Sequence, residues 1–115
     1  MKKVLICASY GGFGFSDEFI NHMKQFPQYN KDLSRDDQFL VEQAEQFGLK
    51  KASGFLCELE IQHIPDGVEY SIHEYDGYEH INEIYIYVTM HELRNGLPKE
   101  KIELIDKYKC NVRIR

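Results

Sequence analysis

The chain has 115 residues, a formal net charge of −5, 43% hydrophobic and 29% charged residues, a profile that fits one globular domain with its own core. The acidic balance excludes a general binder of nucleic acid or of anionic membrane, since both need a basic face. Three cysteines, Cys7, Cys57 and Cys110, are odd in number and lack CxxC spacing, which points to free thiols in a reducing, intracellular compartment.

Lys3 to Ala8 is an uninterrupted apolar run. It reads as a strand buried on both faces, central in a sheet. Preceded only by Met1-Lys2-Lys3, it is too short for a signal sequence, and Ile84 to Met90 is too short to span a bilayer, so no membrane association is expected. Tyr10-Gly11-Gly12-Phe13-Gly14 then forms a glycine-rich elbow into a helix. Bare amides near a helix start can hold an anion, but glycine also serves wherever the chain needs positive φ. The elbow lacks the lysine of a phosphate loop, and Asp17 and Glu18 would repel a phosphate. Gly14 is the position where a β-branched residue is expected to disrupt the turn.

Ser16 is placed to cap a helix over Asp17 to Gln25, with Phe19, Ile20, Met23 and Phe26 inward and Pro27 as its stop. Gln28 to Leu33 reads as a loop. Ser34-Arg35-Asp36-Asp37 matches a capping box for a helix that buries Leu40, Val41, Ala44 and Phe47 and ends at Gly48. After a connection through Lys50, Lys51, Ser53 and Gly54, the alternation of Phe55, Cys57, Leu59 and Ile61 predicts a half-buried strand. Pro65-Asp66-Gly67 turns the chain into a strand with Val68, Tyr70 and Ile72. Asp76-Gly77 is a hairpin signal, and Ile84 to Thr89 carries the third consecutive strand. Pro98 starts a last helix lined by Ile102, Ile105 and Tyr108, with Val112 and Ile114 available for a short terminal strand. The resulting order β-α-α-β-β-β-α(-β) predicts an α+β domain over residues 1–115, a single mixed sheet with helices packed on it.

No catalytic constellation or cofactor motif stands out, and no cofactor is expected. His22, His63, His73, His80 and His91 show no metal-ligand spacing; His73 and His80 flank an acidic hairpin that reads as solvated. Glu74 and Asp76, two residues apart, would share one face of an extended strand, where paired carboxylates can do acid/base work. Cys7 and Cys57 read as core and Cys110 as the exposed thiol. Eight tyrosines and seven phenylalanines with no tryptophan make an aromatic-rich chain, and Tyr70, Tyr75, Tyr78, Tyr85 and Tyr87 gather around the hairpin, where such rings can anchor a partner.

The segments Tyr10-Gly11-Gly12-Phe13-Gly14-Phe15-Ser16-Asp17-Glu18, Arg35-Asp36-Asp37, Leu40 to Gly48, Ile64-Pro65-Asp66-Gly67-Val68-Glu69-Tyr70 and Glu74-Tyr75-Asp76-Gly77 occur in this order. Together they resemble a family of small, uncharacterised bacteriophage proteins. Against that pattern Ser9 replaces a cysteine, Asp37 replaces a proline, and the chain continues beyond Ile84. The resemblance implies a phage or viral accessory protein and brings no catalytic residues with it. The function expected is that of a small non-enzymatic binding protein acting on a host protein or a small-molecule ligand. Its surface would combine Tyr10, Gly11, Gly12, Phe13 and Gly14 with Glu74, Tyr75, Asp76 and Gly77. The alternative is an enzyme acting on a nucleotide or another phosphorylated small molecule, with the elbow amides on the anion and Glu74 or Asp76 as acid or base. The Ile84 to Thr89 strand has no proline or lysine to blunt its edge, which predicts a homodimer unless the terminal segment covers it.

Overall fold

A computed structural model describes residues 1–115. In chain order the elements are β1 (Lys2–Cys7), α1 (Asp17–Met23), α2 (Gln38–Phe47), α3 (Leu49–Ala52), β2 (Leu59–Ile64), β3 (Glu69–Tyr75), β4 (Tyr78–Val88), α4 (Met90–Asn95), α5 (Lys99–Tyr108) and β5 (Asn111–Ile114). The class is α+β, but the strands form two sheets rather than one: the antiparallel pair β1-β2 and a three-stranded sheet β3-β4-β5. The expected meander β2-β3-β4 breaks because β2 pairs with β1, from Lys2↔Ile64 to Cys7↔Leu59.

The physical reason lies in the alternation of β1. Leu5 and Cys7 face the helices, in a core with Phe19, Met23, Leu40, Val41, Ala44 and Leu59. Val4 and Ile6 face the other way and, with Ile64, pack on Tyr70, Ile72, Ile81 and Ile84 of the second sheet. The two-stranded ribbon is therefore the middle layer, apolar on both faces as its sequence requires. It is not central within a sheet. Its outer edge is met by Arg35, whose carbonyl accepts from the Leu5 amide at 2.9 Å.

A bulge keeps the long strand β4 facing inward along its length. Its register with β3 moves from Ser71↔Glu83 to Ile72↔Ile81, so Asn82 is an extra residue. The insertion shifts side-chain parity, which puts Ile81 and Ile84 in the same apolar cluster despite their odd spacing. Further along, Ile86 and Val88 join Val68 and Cys110 beneath Leu104, Ile105 and Tyr108 of α5. Cys110 is thus buried, contrary to expectation, and its thiol donates to the Leu104 carbonyl at 3.5 Å.

The helices differ from expectation mostly at their ends. Asp37, not Ser34, caps α2, accepting from the Leu40 amide at 2.9 Å; the Ser34 hydroxyl donates instead to Asp36. α1 stops at Met23, two residues early. Gly48, at φ 98°, ends α2 and begins the short α3, a helical turn in place of the expected connection. α4 was hidden by the strand signal before it, although Thr89 and Glu92 make a full capping box.

The β4 edge that motivated a homodimer is covered within the chain. β5 pairs with it in parallel, Tyr85↔Asn111 to Val88↔Ile114. The tyrosine face there is roofed by arginines, with the Arg113 and Arg115 guanidinium carbons 3.6 and 4.2 Å from the ring centres of Tyr85 and Tyr87. No helix is long and apolar enough to cross a membrane.

Candidate functional site

The tip of the β3-β4 hairpin lies on the glycine elbow. The Gly11 amide donates to the Asp76 carbonyl at 3.1 Å, and Gly77 is buried directly against the backbone of Gly11 and Gly12. Close approach of this kind needs a residue with no side chain at Gly77; a side chain on Gly11 would meet Leu56 instead, and one on Gly12 would enter open space. Gly11, Gly12 and Gly77 also stand at φ 139°, 94° and 87°. Gly14 does not: its φ is not positive and open space surrounds it, so the expectation attached to that position is corrected. Gly14 contributes its carbonyl, which accepts from the Gly54 amide at 2.9 Å.

The two predicted segments therefore meet, in distinct roles. Tyr10 and Tyr75 are 64% and 67% exposed, and the Tyr10 ring stands 5.4 Å from that of Tyr78, also exposed. Phe13 is no exposed lip; it packs edge-on to Phe15 at 5.1 Å and sits beneath the Arg35 guanidinium, 3.3 Å from its ring centre. Glu74 accepts from the Gly77 amide at 2.5 Å, closing the turn. Asp76 is in the left-handed region at φ 50°, beyond the end of β3, so it does not share a strand face with Glu74. His73 and His80 pair across the hairpin with ring centres 5.2 Å apart, and no group of three or more His, Cys, Asp or Glu side chains is arranged to hold a metal ion.

A third segment joins this end of the molecule. The alternation read from Phe55 onward predicts a strand, but β2 begins only at Leu59, and Phe55 and Leu56 stand out at 92% and 61% exposure. Leu56 adopts φ 64°, an uncommon conformation for a branched side chain that costs on the order of 1–3 kcal/mol. Ser9 holds it there: its hydroxyl donates to the Leu56 carbonyl at 2.8 Å and accepts from the Glu58 amide at 2.9 Å. Gly11 lies between Leu56 on one side and the hairpin tip on the other. Tyr10, Leu56, Tyr75 and Tyr78 thus stand exposed on the three segments that meet at Gly11, with exposed Phe55 next to Leu56 in the chain.

Beneath it runs a buried ion pair. Arg35 and Glu79 meet through two hydrogen bonds, at 2.7 and 2.9 Å, and Glu79 is only 6% exposed. The same carboxylate accepts from the Cys7 amide at 2.9 Å, while Arg35 also donates to the Leu5 carbonyl at 3.3 Å. The pair therefore satisfies the unpaired edge of β1 and ties the elbow, through Phe13, to the first residues of β4. Burial alone would raise the Glu79 carboxyl, but hydrogen bonds from Arg35 and Cys7 and the arginine charge hold it below the usual carboxylate range.

In comparisons with known proteins, the chain matches no family model, no curated protein and no solved structure. The site rests on geometry alone. Sequence reasoning missed Ser9, Arg35, Phe55, Leu56 and Glu79. For Phe55 and Leu56 a signal existed: Ser53-Gly54 directly before them is turn chemistry, and the period-2 pattern masked it.

Proposed function

We propose that this chain is a small binding protein that docks a host protein through its elbow–hairpin end. The observation that carries the reading is the cluster of large apolar side chains held outward there, with Leu56 kept in a strained conformation that exposes it. Strain persists where the surrounding structure over-determines it, and it concentrates at clamps and binding sites. Flat aromatic rings on fixed backbone supply contact area at little entropic cost, which suits a recognition surface. The likeness of the elbow and hairpin segments to small bacteriophage proteins supports an accessory factor acting inside a host cell.

The rival reading, an enzyme acting on a nucleotide or another phosphorylated small molecule, needs elbow amides and carboxylates that are free to act. Here the Gly11 amide is committed to the Asp76 carbonyl and Glu74 to the Gly77 amide. Surface clefts of about 470, 510 and 550 Å³ are lined by other residues. The elbow and hairpin converge on a filled junction, and a filled junction favours docking over catalysis.

The test is capture of partners from host lysate by the wild-type chain and by a Phe55→Ser, Tyr75→Ser double variant. Both side chains are exposed, so the fold is expected to survive; surface substitutions of this kind cost about 0.5 kcal/mol or less. A specific partner retained by the wild type and lost by the variant is the expected outcome. Identical partners for both would remove this end as the docking surface.

A further inference from the structure

β5 covers the edge of β4 and presents an edge of its own. It is the outer strand of the sheet β3-β4-β5, and all of its residues are exposed. The parallel register fixes which way its main chain points. The Arg115 amide donates to the Val88 carbonyl at 2.8 Å, so Asn111, Arg113 and Arg115 turn their main-chain groups toward β4. The N–H and C=O of Val112 and of Ile114 therefore point away from the sheet, and no further strand pairs with them. The side chains alternate as well. Val112 and Ile114 stand beside Ile86 and Val88 on the α5 face, yet remain 44% and 61% exposed. Arg113 and Arg115 lie on the opposite face, over the tyrosines. Natural edges are commonly blunted by proline, a bulge or an edge lysine, and β5 has none of these.

The charge at this edge runs against that of the chain. Residues 107–115 include Lys107, Lys109, Arg113 and Arg115 and no acidic side chain, in a protein of net charge −5. Arg113 is shared with Glu83, whereas Arg115 makes no ion pair. We propose that the β5 edge docks an extended segment of a protein partner in which apolar and acidic residues alternate. The segment adds a strand antiparallel to β5, with its main chain on the free groups of Val112 and Ile114. Its apolar side chains lie against those two residues on the α5 face, and its acidic side chains face Arg113 and Arg115.

Other occupants fit less well. A second copy of this chain could satisfy every free group only in the two-fold register that pairs Val112 with Ile114. That register sets Arg113 of one copy directly opposite Arg113 of the other, and like charges so placed oppose pairing. A nucleic acid could use the arginines, but it would leave the outward main-chain groups unpaired and the two apolar side chains uncovered. The surface is also separate from the elbow–hairpin end. β5 pairs with the Val88 end of β4, whereas the hairpin tip that rests on the elbow lies at its Tyr78 end.

The experiment follows the backbone amide NMR signals of the full isotope-labelled chain as a short peptide is added. One peptide alternates valine with glutamate, and a second alternates valine with lysine. Expected with the glutamate peptide is a saturable shift centred on the Val112 and Ile114 amides. The lysine peptide should bind about tenfold more weakly, because the cross-strand charge pairs change sign. Val112→Pro removes an outward N–H and no ladder bond, so it should keep the rest of the spectrum and weaken the glutamate peptide about tenfold. If that variant does not fold, the wild-type titrations decide alone. Equal affinity for the two peptides, no response at millimolar peptide, or shifts centred away from Val112 and Ile114 would each overturn the proposal. Undiminished binding by a folded Val112→Pro chain would do the same. So would tighter binding of oligothymidylate at these residues, or shifts there on concentrating the free chain, the mark of self-pairing.

Discussion

Gly77→Ala is expected to lower stability by about 3 kcal/mol, a fall in Tm of roughly 10 °C for a chain of this size. Two effects add. A methyl group at φ 87° is strained in itself, and it would sit 2.6 Å from the Gly11 nitrogen, driving the hairpin tip off the elbow. The Gly11–Asp76 hydrogen bond would go with it. Gly12→Ala separates the terms, because Gly12 has positive φ but open space, so strain alone applies at about 1 kcal/mol. Gly14→Ala meets neither condition and should change stability by about 0.5 kcal/mol or less. Urea denaturation of the three variants gives the order directly. A Gly77→Ala melt within a degree or two of wild type would mean that the hairpin does not rest on the elbow.

Glu79→Ala should cost about 3 kcal/mol, because it strands the Arg35 guanidinium and leaves the Cys7 amide without its acceptor. The partial exposure of Arg35 keeps the figure at the lower end for a broken buried pair. Glu79→Gln should cost less, since an amide oxygen can still accept from Cys7. The two variants also differ from wild type in their pH response. The folded carboxyl titrates below its unfolded value, so its contribution is fully present above the unfolded pKa of about 4.3 and is lost as pH falls through the folded value. Chemical denaturation of wild type and Glu79→Gln should therefore show a gap that is wide at pH 7 and closes on acidification below about pH 4.5. A constant gap across that range would show that Glu79 is not held as a charged group in the fold.

The sequence carried local structure well where one physical requirement dominated. The apolar run of β1 demanded cover on both faces and received it, from helices on one side and the second sheet on the other. Asp76-Gly77 demanded a hairpin and made one. Pairing between strands was less legible, because period-2 alternation says which face of β2 is buried and nothing about whether β1 or β3 lies beside it. Asn82 compounds this, since a bulge reverses parity without changing composition. The meeting of elbow and hairpin could be anticipated from two glycine-marked turns with aromatic neighbours. The Arg35–Glu79 pair could not be, because its partners are 44 residues apart and each reads alone as a surface charge. Leu56 was invisible for a different reason: a left-handed leucine breaks local propensity, and such breaks gather at sites of function.

The docking claim is tested most directly by placing a photoreactive phenylalanine analogue at position 55 and irradiating cells that naturally carry the chain. Phe55 is almost fully exposed, so the substitution should leave the fold intact, and Ile102, exposed on α5, serves as the control position. The predicted result is a discrete cross-linked partner from position 55 that is absent from position 102. The same adducts from both positions, or adducts from position 102 alone, would contradict a recognition surface at the elbow–hairpin end.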